Sequence, residues 1–271
     1  MVERPKLISL ITSLLLFVIV FVLWQIYDII IVEVPIPSLL IHAPYFSIPA
    51  IGLVVFALFT KLTKSSFKKQ GYKKPAGITA SKCLLLSLLF IVIYIFIVLA
   101  QGLFGTFGTT TFSTEPYQII FRVALAIVFG LASESVFRGY IFRNLVGNYG
   151  FFLSLYASSI LFGLHNISLR TILGMGTHDI IIYIFTAIIP AIAEGIFLGY
   201  YFYKIGWSLL GPTTFRMIWL FFLEPLPIMS ASSPWWIALT FELLAFIVLI
   251  FAVDTIIKEP RYARRKYGLE G

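Results

Sequence analysis

The sequence predicts an all-α protein: a polytopic membrane helical bundle with about eight transmembrane helices. Three observations predict it. Of the 271 residues, 60% are hydrophobic and only 12% are charged, against about 25% charged in a soluble domain. The apolar runs approach or exceed the ~20 residues that span a bilayer as a helix. The runs are continuous, whereas a β-barrel would show short alternating segments. A helix satisfies its own backbone hydrogen bonds in lipid, so these runs read as helices.

The expected spans are 7–31, 43–62, 83–104, 117–146, 150–168, 181–203, 207–224 and 235–257. They leave no room for a sizeable soluble domain, so residues 1–271 read as one membrane domain. "VPIPS" follows the first span, "GTFGTTTFSTEP" the third and "EPLPIMSASSP" the seventh. Gly and Pro clusters of this kind end helices. The N-terminal apolar segment is too long for a cleavable signal and reads as the first membrane helix.

Basic residues set the expected orientation. With the N-terminus inside, 17 of the 20 Lys and Arg fall on inner regions and inner helix ends, as the positive-inside rule requires. Both termini are then cytoplasmic, and the cell membrane is the expected location. "KLTKSSFKKQGYKKPAGITASK", 61–82, carries seven lysines. It reads as a solvated inner loop able to meet anionic headgroups. The net charge of +8 therefore reports topology and not nucleic-acid binding. The single Cys83 allows no intramolecular disulfide and no cysteine-held metal.

Charge within the spans is costly, on the order of 3 kcal/mol per group, so its placement is informative. Glu134 and His165 are equidistant from the turn near "GNYG", and Glu194 and Arg216 from Ile205 in the turn near "YKIG". In an antiparallel hairpin each pair shares a depth. Glu134 and Arg138 also stand i,i+4 with the acid first, the favourable order. Arg138 reads as a structural partner. Glu134 with His165 reads as a site or a structural network. "GIFLG", Gly195 to Gly199, reads as a small-residue packing face. Trp24, Trp235 and Trp236 read as interfacial belt, His42 and His178 as outer interface, and Glu242 and Asp254 as cavity or interface groups. There is no HExxH, phosphate loop or GxSxG elbow, and three scattered histidines make a poor zinc set.

Three stretches go further. "ASESVFRGYIFRNL" resembles the first motif of the CPBP (CAAX protease and bacteriocin-processing) family, also called ABI: two glutamates, three residues, then arginine and glycine. "SSILFGLHNI" resembles the second motif, an aromatic residue shortly before a histidine. "EGIFLGYYFYKIGWSLLGPTTFRMIWLFF" resembles the third region. There a helix bears His and, four residues on, Asn or Asp. The resemblance covers about 117–226.

The resemblance implies an intramembrane endoprotease acting on prenylated CAAX-type peptides. The first glutamate and the motif-two histidine would activate water, and the motif-three groups would hold the oxyanion. No cofactor is implied beyond that water, and the motifs do not support a metal. The sequence departs from the pattern at the reacting positions. Ser133 stands at the first glutamate, while Glu134, Arg138 and His165 match. Phe162 precedes His165 by one residue fewer than usual. Arg216 and Leu220 replace the motif-three His and Asn. Serine does not act as a base without an activator, and Glu134 is ~100° round the helix. Leu220 cannot donate. Arg216 needs a partner, which Glu194 supplies, so that pair reads as a structural bridge in a former site.

The expected function is therefore a CAAX-protease-like membrane protein with impaired chemistry. Its partners would be membrane lipid and a prenylated or hydrophobic peptide. The alternatives are a non-catalytic peptide- or lipid-binding scaffold, a protease with a rearranged site built on Glu134 and His165, and, less favoured, a transporter.

Overall fold

A computed structural model describes residues 4–33, 43–76, 78–100, 116–222 and 234–258. The described chain is helical. In order come α1 (Arg4–Glu33), α2 (Ala43–Leu62), α3 (Ala80–Ala100) and α4 (Pro116–Glu134). A π-helical stretch, Ser135–Phe142, continues α4 into α5 (Arg143–Tyr149). Then follow α6 (Phe151–His165), α7 (Leu169–Leu173) and α8 (Thr177–Tyr183). A second π-helical stretch, Ile184–Ile188, leads to α9 (Ile189–Lys204), α10 (Leu210–Phe222) and α11 (Trp235–Ile256).

Each expected span overlaps described helix. Among the described residues, five stretches are long and apolar enough to cross a membrane: Pro5–Ile26, Ala80–Ile97, Val123–Tyr149, Thr177–Lys204 and Trp235–Ile256. The apolar helices Pro49–Leu62 and Phe151–His165 are shorter, and α10 has 13 residues. Much of the surface is Leu, Ile, Val and Phe. Phe96 is 78% exposed and Ile120 70%, which suits lipid and not water. The Pro- and Gly-rich breaks after the first, third and seventh spans, His42 and the basic C-terminal segment lie outside the described residues.

Two tight turns fix the hairpins that carry the motifs. Gly150, at φ +79°, joins α5 to α6, and Gly206, at φ +76°, follows α9. Both need the left-handed backbone that glycine adopts without steric cost. The hairpins pack through α6 against α9. There the "GIFLG" face does what its composition predicts. A methyl group added at Gly195 would lie 2.9 Å from the Cα of Ser159, and one at Gly163 would strike Ile192. Lipid tails are as apolar as leucine, so close backbone packing supplies much of the helix association. Gly195→Val should destabilise the fold by roughly 1–3 kcal/mol or more, measured by thermal unfolding in detergent, because the obstructing atom is backbone.

Three aromatic-rich clusters complete the interior. Phe90, Phe197, Tyr201, Phe215 and Phe246 join α3, α9, α10 and α11. Phe142, Phe151, Phe202 and Trp207 seal the two turns. Leu16, Phe56, Phe137, Tyr140 and Phe162 join α1, α2 and α6 to the first π-helical stretch. Asp254 of α11 accepts from Lys204 at 2.6 Å and from Tyr200 at 2.6 Å, tying it to the end of α9.

The lysine-rich loop is not simply a solvated connection. Leu209 N donates to Gly71 O, and Ala76 N to Ile205 O, each at 3.0 Å. Ser208 Oγ donates to Lys73 O at 2.7 Å. Gln70 is buried. These bonds lay residues 69–76 across the α9–α10 turn and against the π-helical stretch, while the lysine side chains along the loop are exposed or half-exposed. Backbone polar groups brought against the bundle require such partners.

Candidate functional site

The first motif straddles a change of helical geometry. Ser133 and Glu134 end α4, while Arg138 and Gly139 sit within the wider π-helical turns. Such turns are uncommon and concentrate at functional sites. Gly139 is required by close approach: a methyl group there would lie 2.9 Å from the carbonyl oxygen of Gln70 in the docked loop. Tyr72 of that loop meets Ser135 Oγ at 2.5 Å. Burial pushes the Tyr72 phenol above its ordinary pKa, the Ser135 bond offsetting part of this. The phenol therefore stays protonated across neutral pH.

Adjacent on the helix, Ser133 and Glu134 face different surroundings. Ser133 and His165 line one cavity of about 40 Å³, together with Trp24, Phe129, Ala132, Val136 and Phe137 and with Pro49 and Gly52 of α2. A cavity needs about 10–15 Å³ of such space to admit one water, so this one can hold water in a space lined by a hydroxyl and an imidazole. Ser133 Oγ donates to Gly130 O at 3.3 Å and keeps acceptor capacity. His165 Nδ1 is buried with no hydrogen-bond partner among the described residues. The imidazole is wedged between Trp24 and Phe137, whose ring centroids lie 5.6 Å and 5.3 Å away.

Glu134 is not part of that cavity lining. It is fully buried and belongs to a group of four charges. Arg138 Nη1 donates to Glu134 Oε1 at 3.2 Å. Arg138 Nη2 donates to Gly195 O at 3.2 Å. Arg216 donates to Glu194, the pair expected from the turn at Ile205. Glu134 and Arg138 each lie within electrostatic reach of Glu194 and Arg216. The two carboxylates and two guanidiniums sum to zero, which limits the cost of burying them. Phe162 lies under both cations, 4.2 Å from the Arg138 guanidinium carbon and 5.3 Å from that of Arg216. Glu134 Oε2 has no hydrogen-bond partner among the described residues.

The structure therefore gives different neighbours to two groups that the hairpin geometry put at one depth. His165 shares its cavity with Ser133, and Glu134 turns toward the arginines. The reason is the one-residue step round the helix. Spacing from a turn speaks to depth alone and gives no direction around the helix. Leu220, half-buried near the end of α10, offers no polar atom. Trp24, read as interfacial belt, also forms a cavity wall against His165 and Phe129. Its role, and those of Gln70 and Tyr72, had no periodic or motif signal. Phe162 had one, as the aromatic residue before the motif-two histidine.

Among the described residues no three His, Cys, Asp or Glu side chains converge. His178 is exposed beside Asp179, far along the chain from His165.

Comparison with family models returns a match to the type II CAAX prenyl endopeptidase Rce1-like family over residues 115–222. This segment belongs to that family. The matched residues run from the start of α4 to the end of α10 and so contain Ser133, Glu134, His165, Glu194 and Arg216 together. Comparison with curated proteins finds no match. The Rce1-like segment, together with the apolar helices, supports a CAAX-protease-type membrane protein.

Proposed function

We propose that this Rce1-like protein keeps the family's peptide-binding bundle but not its water-activating chemistry. It holds a prenylated or otherwise hydrophobic peptide at the membrane without cleaving it by the family mechanism. One observation carries this reading: the side chain that shares the water-sized cavity with His165 is the hydroxyl of Ser133, not a carboxylate. The family scheme sets a carboxylate beside the histidine to activate water; here His165 has a serine hydroxyl in its place, which is no base without an activator. Glu134, the nearest carboxylate in sequence, is occupied by Arg138. Arg216 is occupied by Glu194, and Leu220 has no donor for an oxyanion.

The partners in this reading are membrane lipid and the peptide, with water the nucleophile in any residual reaction and no cofactor. The setting is the cell membrane with both termini cytoplasmic, supported by the distribution of Lys and Arg.

The experiment is a farnesylated CAAX peptide offered to the protein in lipid nanodiscs. Saturable binding without release of the C-terminal tripeptide is the expected result. Turnover that His165→Ala abolishes would overturn the proposal and establish a protease with a rearranged site.

A further inference from the structure

A second cavity lies between the docked loop, α4 and α10. It measures about 840 Å³, within the 300–1,000 Å³ typical of small-molecule sites. Its walls are mainly apolar, with Ile78, Leu131, Leu209, Leu210 and Met217 among them. Lys73 and Lys74 line one side, and among the described residues no acidic side chain lines it. Lys74 and Leu210 are exposed, so both the basic and the apolar sides reach the surface.

We propose that this cleft binds an anionic phospholipid, its acyl chain along Leu131 and Met217 and its phosphate at Lys73 and Lys74. The argument is amphipathic complementarity. An apolar trough that opens beside two ammonium groups matches a molecule with a long hydrocarbon chain joined to a negative headgroup. The lysines belong to the segment that the positive-inside rule places at the cytoplasmic surface, where anionic headgroups lie. The loop is pinned there by its bonds to the α9–α10 turn, Ser208 Oγ to Lys73 O among them, so the lysine backbone is held in place before any lipid arrives. Preorganisation of this kind lowers the cost of binding.

A prenylated peptide is the competing occupant, and the position argues against it. The cleft and the Ser133–His165 cavity share no lining residue. Leu131 and Ser133 stand about 200° apart around α4. A peptide in the cleft would be on the wrong side of that helix for His165.

The test is native mass spectrometry of the detergent-purified full chain after mixing with phosphatidylglycerol or phosphatidylcholine of identical acyl chains. Phosphatidylglycerol should be retained roughly thirtyfold more strongly, the ratio expected for two lysines near a headgroup. The variant Lys73→Gln/Lys74→Gln should remove that preference while the protein stays monodisperse. Leu210→Trp, which narrows the trough, should lower retention of both lipids. Equal retention of the two lipids by the native protein overturns the proposal. So does a preference that survives the double lysine change, or displacement of the lipid by a farnesylated peptide.

Discussion

Glu194→Ala lowers the stability of the protein by about 3–5 kcal/mol, the cost of leaving a buried charge without its partner. The reason is local neutrality. Glu134 and Glu194 balance Arg138 and Arg216 in one buried group. Removing either acid leaves a net positive charge beside Phe162, away from water. The comparison that isolates the charge is Glu194→Leu/Arg216→Leu. It removes both ends of one pair and should recover most of the loss, because a buried ion pair replaced by packed apolar residues is often nearly neutral. Thermal or denaturant unfolding of Glu194→Leu, Arg216→Leu and the double variant gives the coupling directly. Losses that simply add would show that the Glu194–Arg216 contact is incidental.

Ser133→Glu raises cleavage of a farnesylated CAAX peptide by about 10²-fold over the background rate seen with the native protein. A positioned general base contributes roughly 10²–10⁴, and the new carboxylate would enter the cavity that His165 lines. The gain sits at the low end because Leu220 still offers no hydrogen bond to an oxyanion and Arg216 stays bound to Glu194. Ser133→Glu/Leu220→Asn should add to it, since one oxyanion donor is commonly worth 10²–10³. The measurement is tripeptide release by mass spectrometry, with Ser133→Glu/His165→Ala as the control that returns the signal to background. No gain from Ser133→Glu, with the peptide still bound, would mean that residue 133 does not reach the reacting water.

Much of the bundle was legible because lipid makes one demand on the backbone, and long apolar runs answer it visibly. The two motif hairpins were legible for a related reason. Gly150 and Gly206 mark their turns, and equal spacing from a turn gives equal depth, which placed Arg216 at Glu194. The same rule put Glu134 and His165 at one level but said nothing of azimuth, so it could not show that Ser133 takes the cavity and Glu134 the arginines. The π-helical stretch at Ser135–Phe142 carries no composition that separates it from ordinary helix. The docking of Gln70 and Tyr72 depends on loop hydrogen bonds, which have no sequence period. Lysine content made 61–82 look merely solvated, yet its backbone is built into the fold beside the first motif.

The most direct measurement compares two pairs of engineered cysteines in a Cys83→Ala background, using a short bifunctional thiol reagent on the membrane-embedded protein. Ser133→Cys/His165→Cys should cross-link readily across the shared cavity, and Glu134→Cys/His165→Cys should not. Cross-linking of the 134–165 pair with failure of the 133–165 pair would put the carboxylate at the imidazole and contradict the account.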